Sequence, residues 1–330
     1  MTFVRKARRA GLCTAGLAAA CWHPLACGQG VPAFPQRNVQ IVVPYTPGTG
    51  ADLLARTLGP RLAERWKVSV IVDNRAGATG NIGAEFVAKA VPDGHTVLFT
   101  ATSFGMTPAI YPKLPFDPVK NFAPVVLIAT SSLSLVVHPQ LPVKSVRDFI
   151  DLAKRRPGEL YYSSPGNGGP QHLTMELFKL EAGINIVHVP YKGFAGAITD
   201  AVAGHVQSTV AAVQSAQAYV TSGRLRMLGV MSEERWPAFP DVPTFKEQGL
   251  PRLEVYTWYA AFAPAGTPAA AVAKLNAEVN AVLQQPEPRE ALVKQGMNPG
   301  GGSPERLGEL VRSELARWSR VVSAAKIKAD

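Results

Sequence analysis

The segment Val43-Pro44-Tyr45-Thr46-Pro47-Gly48-Thr49-Gly50-Ala51-Asp52 runs from a strand-like stretch through a glycine-rich turn into a helical pattern. Gly48 and Gly50 allow consecutive backbone N–H groups to converge on one point, and the helix start adds about half a positive charge there. Residues of these types at this spacing can hold an anion without a cationic side chain. The same residues also fit a tight turn with no ligand. No Gly-Lys-Ser/Thr follows, so this is not a P-loop, and the Gly-x-Gly-x-x-Gly of dinucleotide folds is absent. A second junction of this kind, Ser163-Ser164-Pro165-Gly166-Asn167-Gly168-Gly169-Pro170-Gln171-His172, carries three glycines in four residues. Two facing helix starts would suit a small carboxylate, and a mobile loop is the other reading. Arg75–Gly83 forms a third glycine-rich connection, expected to pack at a rim rather than touch a ligand.

Catalytic chemistry finds little support in the residue pattern. His95, His138, His172, His188 and His205 form no i,i+4 pair and no His-Glu-x-x-His, so no metal and no cofactor is expected. His172 beside the glycine loop reads as a capping or packing residue. No Gly-x-Ser-x-Gly elbow supplies a hydrolase nucleophile. Asp52 reads as a first-turn helix residue rather than a general base. Lys154-Arg155-Arg156 is a cationic run without interleaved aromatics, so no nucleic-acid partner is expected.

The elements that must position these loops alternate between strand and helix. Strands are expected at Asn38–Pro44, Val68–Val72, Thr96–Thr100 and Val125–Val137, the last long enough to pass between domains. Helices are expected at Ala51–Trp66, kinked at Gly59-Pro60, and at Ile82–Ala90. A second series follows, with helices at Ser145–Lys154, Gln171–Ala182, Gly196–Ala203 and Gln214–Ser222. Its strands are Leu160–Ser163, Ile186–Val189, Gln207–Ala212 and Leu225–Val230. Such alternation predicts α/β layers with mostly parallel sheets. A Pro-rich connector, Trp236–Pro243, leads to a strand at Thr257–Ala263 and two helices. Thr267-Pro268 and Ser303-Pro304 each read as an N-cap followed by Pro at the first helical position.

Composition sets the class. Of 330 residues 47% are hydrophobic and 18% charged, which excludes a disordered chain. Cys13, Cys21 and Cys27 all fall within the first 27 residues, beside Arg5, Lys6, Arg8 and Arg9 and the apolar run Ala10–Trp22. That pattern is a secretory signal peptide, with cleavage expected near Gly28. Leu17–Cys21 is a poor lipoprotein box and Arg8-Arg9 a poor twin-arginine signal. Without this leader the net charge of +10 becomes +6 and no cysteine remains, so the expectation is an exported, soluble globular protein.

Taken in order, these motifs resemble the extracytoplasmic solute receptors of tripartite tricarboxylate transporters, the Bug family. The markers include Pro44-x-x-Pro47-Gly48-x-x-x-Asp52, Val72-Asp73-Asn74-Arg75, Gly80-Asn81-Ile82-Gly83 and Ala90-Val91-Pro92-Asp93-Gly94. Later come Leu114–Pro118, Gly166-Asn167-Gly168, His172-Leu173, His188–Gly193, Asp241–Thr244 and Ala263–Pro268. The resemblance implies an α/β, two-lobed periplasmic binding protein-like fold (Venus flytrap, type II) with a ligand cleft between lobes. One lobe would be 29–130 plus 235–330 and the other 131–234. It implies a small organic acid held at Tyr45, Thr46, Gly48, Thr49, Gly50, Asp52 and Ser103 on one side. On the other side would stand Gly166, Asn167, Gly168, Gly169, His172, Tyr191 and Asp241. The protein would then be a monomeric receptor and not an enzyme, delivering its ligand to membrane transporter subunits. A sensor partner for a two-component system, or less favourably an exported enzyme, is the alternative. Thr49, Ala76, Thr79 and Pro170 depart from the family pattern, which commonly has Gly, Pro, Gly and a hydroxyl residue there.

Overall fold

The computed structural model describes residues 34–327 except Pro112 and Lys192. The expected leader, residues 1–28, lies outside them. Ten strands are found among the described residues: β1 (Val39–Val43), β2 (Val70–Asn74), β3 (Thr96–Ala101), β4 (Phe122–Val137), β5 (Tyr161–Ser164), β6 (Val187–Pro190), β7 (Ser208–Ala212), β8 (Arg226–Val230), β9 (Tyr256–Pro264) and β10 (Asn298–Pro299). Ten helices alternate with them: α1 (Gly50–Trp66), α2 (Asn81–Ala88), α3 (Ser103–Ile110), α4 (Val146–Arg155), α5 (Pro170–Ala182), α6 (Phe194–Ala203), α7 (Val213–Thr221), α8 (Ala269–Leu283), α9 (Pro286–Lys294) and α10 (Pro304–Ala325). None is long and apolar enough to cross a membrane.

The sheet runs β2-β1-β3-β9-β4-β7-β5-β6, with β8 and β10 also paired to β4. Its middle is the 16-residue β4. Phe122–Ser132 pairs with β9, and Leu133–Val137 pairs with β7, while β8 joins Ser134–Val137. One strand therefore belongs to both half-sheets. The expected mostly parallel sheet is in fact mixed. The outer strands of each half are parallel, whereas every partner of β4, and β3 with β9, is antiparallel. The reason lies in chain direction, because β4 and β9 traverse the sheet boundary in opposite senses.

Each half buries its own apolar clusters. Leu54, Leu58, Leu62 and Trp66 recur at helical spacing, and α1 lays this stripe on Ile41, Val43, Val97 and Phe99. The opposite face of the sheet carries Phe122, Trp258 and Phe262, packed against Phe104 of α3 and against α10. In the second half Phe149, Tyr162, Leu173 and Phe178 are fully enclosed. The C-terminal helix serves both, with Leu307 and Val311 in the first half and Trp318 and Val321 in the second. The connector after β8 rests on the second half: Trp236 joins the cluster of Val136 and Val213. Phe245, Leu253 and Val255 join that of Phe178.

Two local expectations change. Helix α1 runs on through Pro60 without a break. Pro60 is exposed, so the Arg56 carbonyl that loses its partner faces water, and the buried stripe on both sides holds the helix together. At α8, Pro268 is itself the N-cap, with extended backbone (φ −53°, ψ 136°), and Thr267 Oγ1 instead donates to the Pro264 carbonyl (2.7 Å). Ser303 behaves as read, its hydroxyl accepting from the Arg306 N–H with Pro304 in the first turn of α10.

Candidate functional site

The loop from Tyr45 to Asp52 is held from inside. Asp52, 1% exposed, accepts from the Gly48 N–H (2.8 Å), Asn74 Nδ2 (2.9 Å) and Arg56 Nε (3.0 Å). Burial would raise its carboxyl, but the bonds from Arg56, Gly48 and Asn74 outweigh that and hold it below the ordinary value. Two sequence expectations are corrected here. Asp52 turns inward, its carboxylate already satisfied, and the Gly48 amide is engaged by it rather than offered to a ligand. Thr49 Oγ1 donates to the Thr46 carbonyl (2.9 Å). What remains outward is the start of α1: Leu53 donates to the Thr49 carbonyl, while the N–H groups of Gly50, Ala51 and Asp52 have no intrahelical acceptor.

Tyr45 is half-buried, and its hydroxyl meets Ser103 Oγ (2.7 Å), Thr100 Oγ1 (2.9 Å) and the Ala101 N–H (3.2 Å). Burial raises its ionisation against the lowering effect of those bonds. Its ring abuts Gly80, where a Cβ would come within 3.0 Å. The third glycine run thus packs behind the first, and Gly83 closes on Pro44 in the same way. It does so at a conformational cost: Ala78 (φ 46°) and Thr79 (φ 58°) both adopt left-handed backbone, which side-chain-bearing residues avoid. Thr79→Gly is expected to stabilise the protein by about 1 kcal/mol, read as a higher urea midpoint with unchanged slope.

In the second half, β5 delivers Ser164 into the Gly166–Gly169 turn and α5 begins with Gly169 as N-cap and Pro170 in its first turn. The Gly168 N–H donates to His172 Nδ1 (2.9 Å). Here too the sequence expectation changes, for the Gly168 amide is turned onto the protein. His172 stacks on His188 with ring centroids 3.9 Å apart, and His188 stacks on Tyr162 at 4.8 Å. His188 Nε2 lies 2.6 Å from Ser164 Oγ. This Ser–His pair is structural, because Ser164 is wholly inaccessible and its hydroxyl also donates to the Gly166 carbonyl (2.9 Å). Burial, followed by the nearby charges of His172 and Lys179, pushes His188 down to about 3, so it is neutral in the fold. Asn167 is exposed on the same turn. Because Pro170 carries no N–H, the helix start offers the N–H of Gln171 as a donor without an intrahelical acceptor.

Tyr191 and Asp241 do not join these loops by side-chain bonds. The Tyr191 hydroxyl donates to Asp200, and burial with that carboxylate pushes its ionisation up to about 12. Asp241 is exposed on the connector beside Val242, which packs on the β8 cluster. The sequence reading missed the helix that relates the two loops. Ser103, the first residue of α3, bonds Tyr45, and Ile110, its last, lies against Gly168, where a Cβ would fall 2.7 Å from Ile110 Cδ1. Gly105 and Pro108 inside eight residues hid that helix from its periodicity. It also missed Tyr259 on β9, discussed below.

A cavity of about 870 Å³ lies elsewhere, lined by Thr130, Ser132, Tyr256, Arg235, Asn280 and Arg306 among others. Successive strand residues face opposite sides. Tyr256 and its cross-strand partner Ser132 therefore face away from the side carrying Tyr259 and its partner Ala129. This cavity stands behind the crossing strands, not at the glycine loops.

Two α/β half-sheets sharing crossing strands, with a helix-start loop from each half at the ends of α3, define the class of the periplasmic binding proteins. Residues 54–327 match the tripartite tricarboxylate transporter family receptor, and the chain belongs to that family. It is 34% identical to Protein BugT of Bordetella pertussis, covering 89% of this chain and 92% of BugT. Among solved structures it is similar to Rhodopseudomonas palustris Rpa4515 with adipate (38% identity, TM-score 0.77, covering 89% of this chain and 99% of that one). It is likewise similar to MatC of Rhodopseudomonas palustris with bound malate (32% identity, TM-score 0.74, covering 88% and 100%).

Proposed function

We propose that this protein is a periplasmic receptor that closes around a small carboxylate and presents it, as a monomer, to the membrane subunits of a tripartite transporter. The lobes are 29–130 plus 235–330 and 131–234, with the connector 235–255 leaning on the second lobe through Phe245, Leu253 and Val255. The observation that carries the reading is α3. Its eight residues rise about 12 Å, so two helix starts with free donors stand one short helix apart. A small acid, with bridging water, matches that span, and water bridges keep nearly the enthalpy of direct bonds. The relatives solved with adipate and malate support the same ligand class. Export through the N-terminal signal fits this role. This reading gives the protein no turnover, and buried Ser164, paired with His188, serves the loop rather than a reaction.

Closure requires the ligand to touch both lobes, since only differential contact shifts a conformational equilibrium. A thermal-shift screen of dicarboxylates, aromatic acids and acidic amino acids tests the proposal. A true ligand at a hundred times its Kd adds about 2.7 kcal/mol, a rise of several degrees in Tm. If no acid in a broad panel raises Tm, the carboxylate assignment fails.

A further inference from the structure

Residue Tyr259 projects from the crossing strand β9 on the face it shares with Ala129, Thr257 and Ser131. Its ring tip sits at the first residue of α1. A Cβ on Gly50 would fall 2.4 Å from the Tyr259 hydroxyl oxygen and 2.6 Å from Cζ. The glycine at position 50 is therefore required by close approach of this phenol, not by its backbone angles. Burial, followed by the neighbouring Tyr45, pushes the Tyr259 ionisation up to about 12. It is a neutral O–H donor. Unlike the Tyr45 hydroxyl, which has three partners, the Tyr259 hydroxyl has none among the described residues. Two residues earlier on the same face, Thr257 Oγ1 is buried and also without a hydrogen-bond partner. Buried hydroxyls are ordinarily satisfied, so the unpartnered Thr257 Oγ1, and next to it on the same face a half-buried Tyr259 hydroxyl that reaches the start of α1 without a protein partner, point to a group that satisfies them when bound.

We infer that Tyr259 is a ligand-binding and specificity-determining residue: its hydroxyl donates to a ligand carboxylate seated at the start of α1. This deepens the proposed function and rests on it. A phenol contributes direction without charge. The carboxylate is then read by donors alone, the phenol and the helix amides, and an amide at that end of the ligand would bring its own N–H against them. Acids with a free carboxylate at this position are bound, and their monoamides are rejected.

Calorimetric titration of the purified protein with succinate, glutarate, adipate and the monoamide of each provides the test. Wild type binds at least one diacid and binds its monoamide more weakly. Tyr259→Phe lowers affinity for that diacid by about tenfold to a hundredfold, the range of a hydrogen bond to a charged group. It leaves the ligand-free Tm unchanged, because the hydroxyl has no partner to lose. Gly50→Ala, which keeps the hydroxyl but displaces it, also weakens binding, and the two losses are not additive. Diacid affinity in Tyr259→Phe within twofold of wild type overturns the inference while leaving the receptor reading intact. Wild type that binds neither these diacids nor any acid of the thermal-shift panel overturns both.

Discussion

Asp52→Ala is expected to destabilise the protein by about 3 kcal/mol, among the larger effects available to one side chain in the first half-sheet. Three donors converge on this carboxylate: a backbone N–H, an amide and a guanidinium. Each hydrogen bond to a charged group contributes about 1.5–3 kcal/mol, and deletion strands the donors. Arg56 is half exposed and regains water, so its share is discounted. The Gly48 and Asn74 groups lie deeper and lose most. Asp52→Asn, which can still accept one bond, should cost less. The pH dependence follows from the direction of the shift. The folded carboxyl titrates below its unfolded value of about 3.9, so its contribution is complete above that pH and is lost as pH falls through the folded value. Urea unfolding at pH 7 and pH 3 should show the gap between wild type and Asp52→Asn narrowing in acid. An unchanged gap would mean that the carboxylate is not the group holding the loop.

The second large effect is acid sensitivity from the stacked histidines. His188 is ordinarily protonated near pH 6.5 but in the fold not until about pH 3. Its folded value is depressed, so its stabilising share is full above about pH 6.5 and declines as the pH drops toward 3. Within that window one proton is taken up on unfolding, a slope of about 1.4 kcal/mol per pH unit at most. Two positive rings 3.9 Å apart would repel, which binds the fate of His188 to that of His172. His172 also accepts the Gly168 N–H, so the stacked pair is tied to the second glycine loop. Stability measured from pH 7 to pH 4 should fall steeply in wild type and less steeply in His188→Gln. Equal slopes would show that another group titrates.

The parts of this fold that a single sequence discloses are those with local causes. The stripe Leu54, Leu58, Leu62 and the Ser303-Pro304 start mark α1 and α10 because spacing and capping act within a few residues. The long apolar run ending at Val137 announced a strand of unusual length, and β4 is indeed shared by both half-sheets. Strand direction is set by pairing at long range, so the antiparallel β9 at the centre was not visible beforehand. The glycine loops do sit at the junctions with helix starts that the sequence marks, but two of their amides, Gly48 and Gly168, are engaged within the protein. Gly48 and Gly168 face inward because Asp52 and His172 happen to fold back over four residues, a choice that glycine content does not reveal. Tyr259 had no signal at all. It is one aromatic in an aromatic strand, and only its approach to Gly50, about 210 residues away along the chain, distinguishes it.

The central claim is that one acid bridges the two helix starts, and backbone amide chemical shifts test it most directly. On titration with an acid that raises Tm, the amides of Gly50 and Ala51 in the first half-sheet should move together with those of Gln171 and His172 in the second. They should follow a single binding curve, with Asn280 and Arg306 at the rear cavity unaffected. Shifts confined to one loop, or centred on the rear cavity, would contradict the account.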